Sequence, residues 1–302
     1  MTAADNPVTR GLVTAAYGQR GRLETASGER IRYLVRGRRL RVVCGDRVNW
    51  HRDRSGQEAI VTGICPRSNT LARLPANSSD AEVLAANVTC LVVVVASSPP
   101  TDWHLIDRYL AAAELMGCRA LLADNKNDLC EAPADAERAA AISGYRKLGY
   151  GCLRVSAETG TGIEALIAAL RNETAILVGQ SGVGKSSLIN RLAPGADIVV
   201  GELSTANDEG THTTTASAMH RLPDGGRLID TPGVRDFVPA IPDTARVQHG
   251  FPEIRALADD CRFADCRHIR EPDCAVKAAV AEGQIDPRRY ETFKRLTRNS
   301  IA

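Results

Sequence analysis

The sequence predicts three consecutive folding units: a small antiparallel β-barrel or sandwich in residues 1–75, an α/β domain on a parallel sheet in 76–240, and a helical unit around a cysteine cluster in 241–302. Three observations carry that division. Residues 8–74 alternate apolar and polar side chains and break at turn residues about every 8–12 positions, the pattern of short half-buried strands. From about residue 81, apolar strand-like runs alternate with helix-spaced segments, which implies a parallel sheet covered on both faces. Cys261, Cys266, His268 and Cys274 fall within fourteen residues near the C-terminus.

At 302 residues the chain is longer than one compact core normally uses. Its 44% hydrophobic and 25% charged residues are an ordinary globular balance. The longest apolar run, Cys90–Ala96, is strand-sized and far short of the ~20 residues a membrane helix requires. The opening MTAADNPVTR lacks a basic start followed by an apolar stretch, so no secretory signal and no membrane partner are expected, and the cytoplasm is the expected compartment. Disulfides are not expected there. Six of the nine cysteines, Cys44, Cys65, Cys90, Cys118, Cys130 and Cys152, lie scattered in apolar or mixed stretches and read as small buried hydrophobes.

Within the first unit, Ile31, Tyr33 and Val35 alternate with Arg32, Leu34 and Arg36. Leu40, Val42 and Cys44 repeat the pattern, and Gly45-Asp46 turns the chain before Val48 and Trp50. Ala59–Ile64 supplies another strand before Pro66. From Arg10 to Arg73 fourteen arginines stand against five acidic residues, a local excess of nine positive charges in a chain whose net charge is +2. Composition accounts for part of this, since the chain has 33 arginines and 5 lysines. Yet the acids are not matched locally, and Arg32, Arg36, Arg38, Arg39, Arg41, Arg47, Arg52 and Arg54 suit the phosphates of RNA laid along a strand face.

The second unit opens on Cys90–Ala96 (CLVVVVA), a continuous β-branched run that marks a strand buried on both faces. Helix Trp103–Met116 follows, then strand 119–123, helix 134–148, strand 152–155, helix 162–170, strand 175–178, helix 186–192 and strand 227–229. The third unit contains helices at 275–282 and at Pro287–Arg298, the second carrying Arg288, Arg289, Lys294, Arg295 and Arg298.

Chemistry enters at the strand ends. Gly179, Gln180, Ser181, Gly182, Val183, Gly184, Lys185 and Ser186 read G-x-x-x-x-G-K-S between a strand and a helix, with Ser187 following. Such a loop aims backbone N–H groups at phosphate oxygens, while Lys185 neutralises the β- and γ-phosphates and Ser186 ligates Mg²⁺. The base is chosen by Asn125, Lys126, Asn127 and Asp128, an N-K-x-D after a strand. An aspartate accepts from both N1–H and the 2-amino group of guanine, a bidentate match adenine does not offer. Ser156 and Ala157 complete the pocket, with the Ala157 N–H directed at guanine O6. Together these motifs predict GTP and GDP as ligands.

Asp230-Thr-Pro-Gly233 is a D-x-x-G in which Asp230 would hold Mg²⁺ through water and the Gly233 N–H would meet the γ-phosphate. Between it and the P-loop lies Gly210-Thr-His-Thr-Thr-Thr215, where one threonine closes over Mg²⁺ when GTP is bound. Base recognition therefore precedes the P-loop, the reverse of the usual order, which circular permutation produces because each strand keeps its neighbours. Val234 stands where many GTPases place a water-orienting glutamine, so slow intrinsic hydrolysis is expected. His212 is the nearest side chain able to orient water, although a structural or solvent-facing histidine reads equally well. The C-x4-C-x-H-x5-C set Cys261, Cys266, His268 and Cys274 offers three thiolates and one imidazole, a closed structural site for one Zn²⁺.

These motifs, with Ala86-Asn-Val and Asp107-Arg-Tyr-Leu, resemble nearly end to end the small ribosomal subunit biogenesis GTPase family (RsgA, also called YjeQ or YloQ). The resemblance implies an OB-type β-barrel, a circularly permuted P-loop GTPase and a zinc-binding domain with a C-terminal helix. It further implies Thr214 as the Mg²⁺ threonine, a catalytic role for His212, and the small ribosomal subunit, its rRNA and other assembly factors as partners. The function implied is late maturation of that subunit, which stimulates slow GTP hydrolysis. The alternative is an RNA-binding checkpoint gated by nucleotide, with turnover incidental. Nothing demands more than a monomer. The sequence departs from the family pattern in its short N-terminal arm and at Ala123-Asp124, where apolar residues are favoured.

Overall fold

A computed structural model describes residues 9–37, 40–73, 81–129, 135–194, 217–231, 239–241 and 244–298. The first five strands, β1 (Thr9–Tyr17), β2 (Arg20–Thr25), β3 (Arg30–Val35), β4 (Arg47–Arg52) and β5 (Ala59–Ile64), pair in the order 1-2-3-5-4. The barrel closes where β1 meets β4, and β3 and β5 run parallel. This is the OB Greek key. Val13, Leu23, Tyr33, Val48, Trp50 and Val61 fill its interior.

One expected strand is absent. Val42 and Cys44 are buried, but residues 41–43 form no ladder and Cys44 makes a single bridge to Ala85. The cause is Asp46: its Oδ2 accepts the Val43 N–H at 2.9 Å, and its backbone oxygen accepts from Val13. An aspartate that satisfies nearby backbone competes with sheet pairing. Arg67 closes on the same carboxylate at 2.7 Å.

A hairpin, β6 (Thr70–Arg73) with β7 (Glu82–Ala86), links the barrel to the α/β unit. There β8 (Cys90–Ala96), β9 (Arg119–Asn125), β10 (Gly151–Arg154), β11 (Thr174–Val178) and β13 (Arg227–Asp230) lie parallel in the order 10-9-8-11-13. Successive residues of β8 serve opposite faces: Leu91, Val93 and Val95 pack with Tyr109 and Leu110 of α1 (Trp103–Met116). Val92 and Val94 pack with Leu166 of α3 (Ile163–Ala169) and Leu188 of α4 (Lys185–Leu192). That double burial is why the strand shows no alternation. Helix α2 (Asp135–Lys147) lies against β10.

The sequence did not announce β12 (Ser217–Arg221). It runs antiparallel to β13 and also pairs with β1 of the barrel, Ala15 opposite Ala218 and Ala16 opposite Ser217. One continuous eleven-stranded sheet therefore joins barrel and α/β unit. The C-terminal unit contains α5 (Pro252–Arg255), α6 (Ala275–Ala281) and α7 (Pro287–Arg298). Phe251, Val276, Phe293 and Leu296 form its core with Cys266 and Cys274, and Ala111 of α1 belongs to the same cluster. The eight described cysteines are free thiols. Burial pushes Cys90 up to about 11 and Cys118 to about 12, which leaves both inert.

Candidate functional site

The candidate residues gather at the carboxyl ends of the parallel strands: residues 125–128 at the end of β9, 155–158 after β10, 179–184 after β11, and Asp230 at the end of β13. Open α/β sheets bind ligands at that edge. Because position in the sheet, not chain order, assembles the crevice, permutation leaves it intact.

Asn125, 1% exposed, holds three of the loops together. Its Nδ2 donates to the P-loop carbonyl of Val183 at 2.9 Å, and its Oδ1 accepts the Ala157 N–H at 3.1 Å. Gly184 has φ +93°, and a Cβ there would collide with the Asn125 amide. Only glycine permits the close approach. The Ala157 N–H expected to face guanine O6 is thus already engaged, and a bound guanine would share that donor with Asn125.

Lys126 (φ +59°) donates from Nζ to Ser98 O at 2.7 Å. Asn127 and Asp128 form a 3₁₀ turn with Leu129, and the Asn127 N–H donates to Val155 O. The exposed Asp128 carboxylate accepts from the buried Ser156 hydroxyl, which leaves its second oxygen available to a ligand. In the P-loop, Lys185 donates to the carbonyls of Gly179 and Gln180, each at 2.7 Å. These bonds hold the loop curled around the lysine. Gly182 has φ +78°, and Ser181, Ser186 and Ser187 are exposed at the mouth of the crevice. His212, Thr214 and Gly233 lie outside the described residues.

Three contributors to this site carry no motif. Arg191 on α4 donates to the carbonyls of Ala157 at 2.7 Å and Glu158 at 2.6 Å, fastening the guanine loop to the P-loop helix. Asp102 caps α1 through its side chain, while its N–H donates to Gln180 Oε1 at 3.0 Å. Arg138 on α2 pairs with Asp124 at 2.7 Å. A lone Arg or Asp in a helical stretch gives no periodic or spacing signal, so sequence reasoning passed over all three.

At the other pole, the ligand atoms of Cys261, Cys266, His268 and Cys274 lie within 4.8 Å of one another. The Cys261 and Cys274 sulfurs are 3.8 Å apart, and His268 Nδ1 is 3.4 and 3.5 Å from them. Tetrahedral Zn²⁺ at normal bond lengths requires separations of about 3.8 Å between sulfurs and about 3.6 Å from sulfur to nitrogen. The donor set therefore fits zinc. His268 Nε2 meets Gln248 Oε1 at 3.2 Å, which selects the tautomer with a free lone pair on Nδ1. Burial holds this imidazole below its ordinary value, keeping it neutral.

Fold and crevice define a class: a P-loop GTPase with its strands circularly permuted and an OB barrel in front. The profile of one such family, RsgA GTPase, matches residues 64–238, and the chain belongs to it. Relatives agree along almost the whole length. The small ribosomal subunit biogenesis GTPase RsgA of Azotobacter vinelandii is 43% identical over 294 residues, 96% of this chain and 85% of its own. That of Pseudomonas putida is 42% identical over 292 residues, 95% and 84% of the two chains. Among solved structures, YjeQ from Thermotoga maritima superposes with a TM-score of 0.77 at 30% identity, covering 97% of this chain and 99% of that one. YloQ, a circularly permuted GTPase, gives 0.74 over 100% and 98%, and at 23% identity it speaks for the fold alone. The chain is therefore a GTP hydrolase, and its family implies guanine nucleotide and Mg²⁺.

Proposed function

We propose that this GTPase binds the small ribosomal subunit through rRNA, acts in its late maturation, and hydrolyses GTP slowly when free and faster when bound. The observation that carries the reading is the pairing of β1 with β12. It attaches the arginine-rich barrel directly to the strand that begins three residues after Thr214. RNA bound on the barrel thereby bears on the segment that senses the γ-phosphate. The names of the relatives, small ribosomal subunit biogenesis GTPases, support the partner.

In this mechanism Asn125, Lys126, Asn127, Asp128, Ser156 and Ala157 receive guanine, and residues 179–187 cradle the phosphates. Ser186, Thr214 and Asp230 would hold Mg²⁺, which would neutralise charge on the phosphates, and the Gly233 N–H would bind the γ-phosphate. His212 orients the attacking water, compensating for Val234. One zinc on the cysteine cluster is structural, since four protein ligands leave no open position. The protein acts as a cytoplasmic monomer. Among the described residues no helix is long and apolar enough to cross a membrane.

The test is GTP turnover by purified protein, alone and with isolated small subunits, with ATP as control. GTP-specific stimulation that His212→Ala or Thr214→Ala abolishes supports the reading. Binding without stimulation favours a checkpoint gated by nucleotide, and absence of binding removes the partner.

A further inference from the structure

Helix α2 turns one stripe toward the sheet, and the buried residues of that stripe are Arg138, Ile142 and Tyr145. Ile142 and Tyr145 are ordinary occupants, but Arg138 stands where an apolar residue would serve. Its partner is Asp124, the residue immediately before the N-K-x-D loop. Their side chains are each 7% exposed, with Arg138 Nη1 donating to Asp124 Oδ1 at 2.7 Å. Removing either partner from a buried ion pair strands the other, whereas replacing both with apolar residues of similar volume is often neutral. Stability alone therefore does not explain why this chain places a charge pair here.

The location does. Asp124 Oδ2 lies 3.5 Å from Asn127 Nδ2, the third residue of the loop, and its backbone oxygen accepts the Val155 N–H at 2.8 Å. Asn127 N–H returns to Val155 O at 3.2 Å. Asp124 thus touches the guanine loop, the end of β10 that leads into Ser156, and α2. Asp128 follows within four residues, and its carboxylate discriminates guanine only when it lies coplanar with the base edge.

We propose that Arg138 is a positioning residue for guanine recognition: through Asp124 it fixes the orientation of the Asn127–Asp128 turn, and with it the preference for guanine over a purine lacking the 2-amino group. The proposal rests on the reading of Asp128 as the guanine acceptor.

The experiment titrates GDP and IDP calorimetrically into the full-length wild type, Arg138→Met, and the apolar pair Asp124→Leu/Arg138→Met, with thermal unfolding of each. IDP lacks the 2-amino group, so the GDP-to-IDP affinity ratio reports the second oxygen of Asp128. The expected result is GDP binding about tenfold weaker in both variants, the loss associated with one charge-assisted hydrogen bond, with a reduced GDP-to-IDP ratio. The apolar pair should recover thermal stability without recovering that ratio. A double variant with wild-type stability and a wild-type ratio overturns the proposal and leaves the pair a packing element. A wild type that binds GDP and IDP equally overturns the Asp128 reading itself, and the proposal with it.

Discussion

Asp107, fully buried on α1, accepts a hydrogen bond from Arg289 of α7 at 2.9 Å. The same carboxylate accepts from Tyr145 at 2.6 Å and Thr292 at 3.0 Å. Arg289 also forks onto Glu253 at 2.5 and 3.1 Å. Every one of these partners is a donor, so the buried charge carried by α1 is compensated from α2 and α7 together. Five residues earlier, α1 is capped by Asp102, whose N–H donates to Gln180 of the P-loop. One helix therefore touches both the P-loop and the C-terminal unit that holds the Cys/His cluster.

Truncating Asp107 leaves Arg289 buried with half its compensation gone. Asp107→Ala is expected to lose about 3–5 kcal/mol, the cost of breaking a buried pair on one side only. Thermal unfolding with a probe in the C-terminal unit checks it. A shift no larger than that of an exposed substitution would show that α7 is held by its apolar face alone.

Gly184→Ala should weaken guanine nucleotide binding about tenfold or more and lower the thermal midpoint as well, since it strains the backbone and breaks two buried hydrogen bonds. The new Cβ occupies the position of the Asn125 amide, and φ +93° strains any non-glycine residue. Asn125 would have to leave both Val183 and Ala157. Asn125→Ala should weaken GDP binding by a similar factor, about tenfold or more for two buried hydrogen bonds. The two changes together should cost little beyond either one, because both break the same junction. Fluorescent GDP titration of the three variants decides it.

Much of this architecture was legible in the chain. CLVVVVA gave a doubly buried strand, and Trp103–Met116 and Pro287–Arg298 appeared as helices at the bounds observed. The strand-end positions of G-x-x-x-x-G-K-S and N-K-x-D located the crevice. What stayed hidden depends on partners distant in sequence. Ser217–Met219 are all buried without period-two alternation, because β12 lies between β13 and the barrel. Leu40 to Cys44 alternate like a strand, yet Asp46 takes their backbone bonds. Arg138 and Arg191 act across 14 and 34 residues of sequence, and no local pattern encodes such a reach.

Zinc removal should unfold the C-terminal unit before the rest. Cys266 and Cys274 are buried in one cluster with Phe251, Phe293 and Val276, so a metal held by these thiolates would be part of the apolar core. Purified protein is expected to carry one zinc per chain. Cys274→Ser should lose the metal and lower the thermal midpoint of α7, with GDP affinity far less affected. Full stability after zinc is stripped by a chelator would mean that Phe251 and Phe293 suffice without metal.

The barrel joint makes a prediction about acid. Glu24 on β2 has a side chain only 8% exposed, with Arg221 of β12 at 2.8 Å and Arg227 of β13 at 3.4 Å. Burial alone would raise its carboxyl, but the two guanidinium groups outweigh burial and hold it below its ordinary 4.5. A carboxylate depressed in the folded state stabilises fully above its unfolded value, and that contribution is lost as pH falls through the folded value. Glu24→Gln should therefore differ from the parent at neutral pH, with the difference beginning to shrink near 4.5 and vanishing only as pH falls below the depressed folded value. Arg221→Met should abolish part of the same difference, since it removes the nearer guanidinium. Because β12 follows Thr214 so closely, the pair also tests the proposed route: if loosening the joint at neutral pH leaves any small-subunit stimulation of turnover unchanged, the β1–β12 ladder does not carry it.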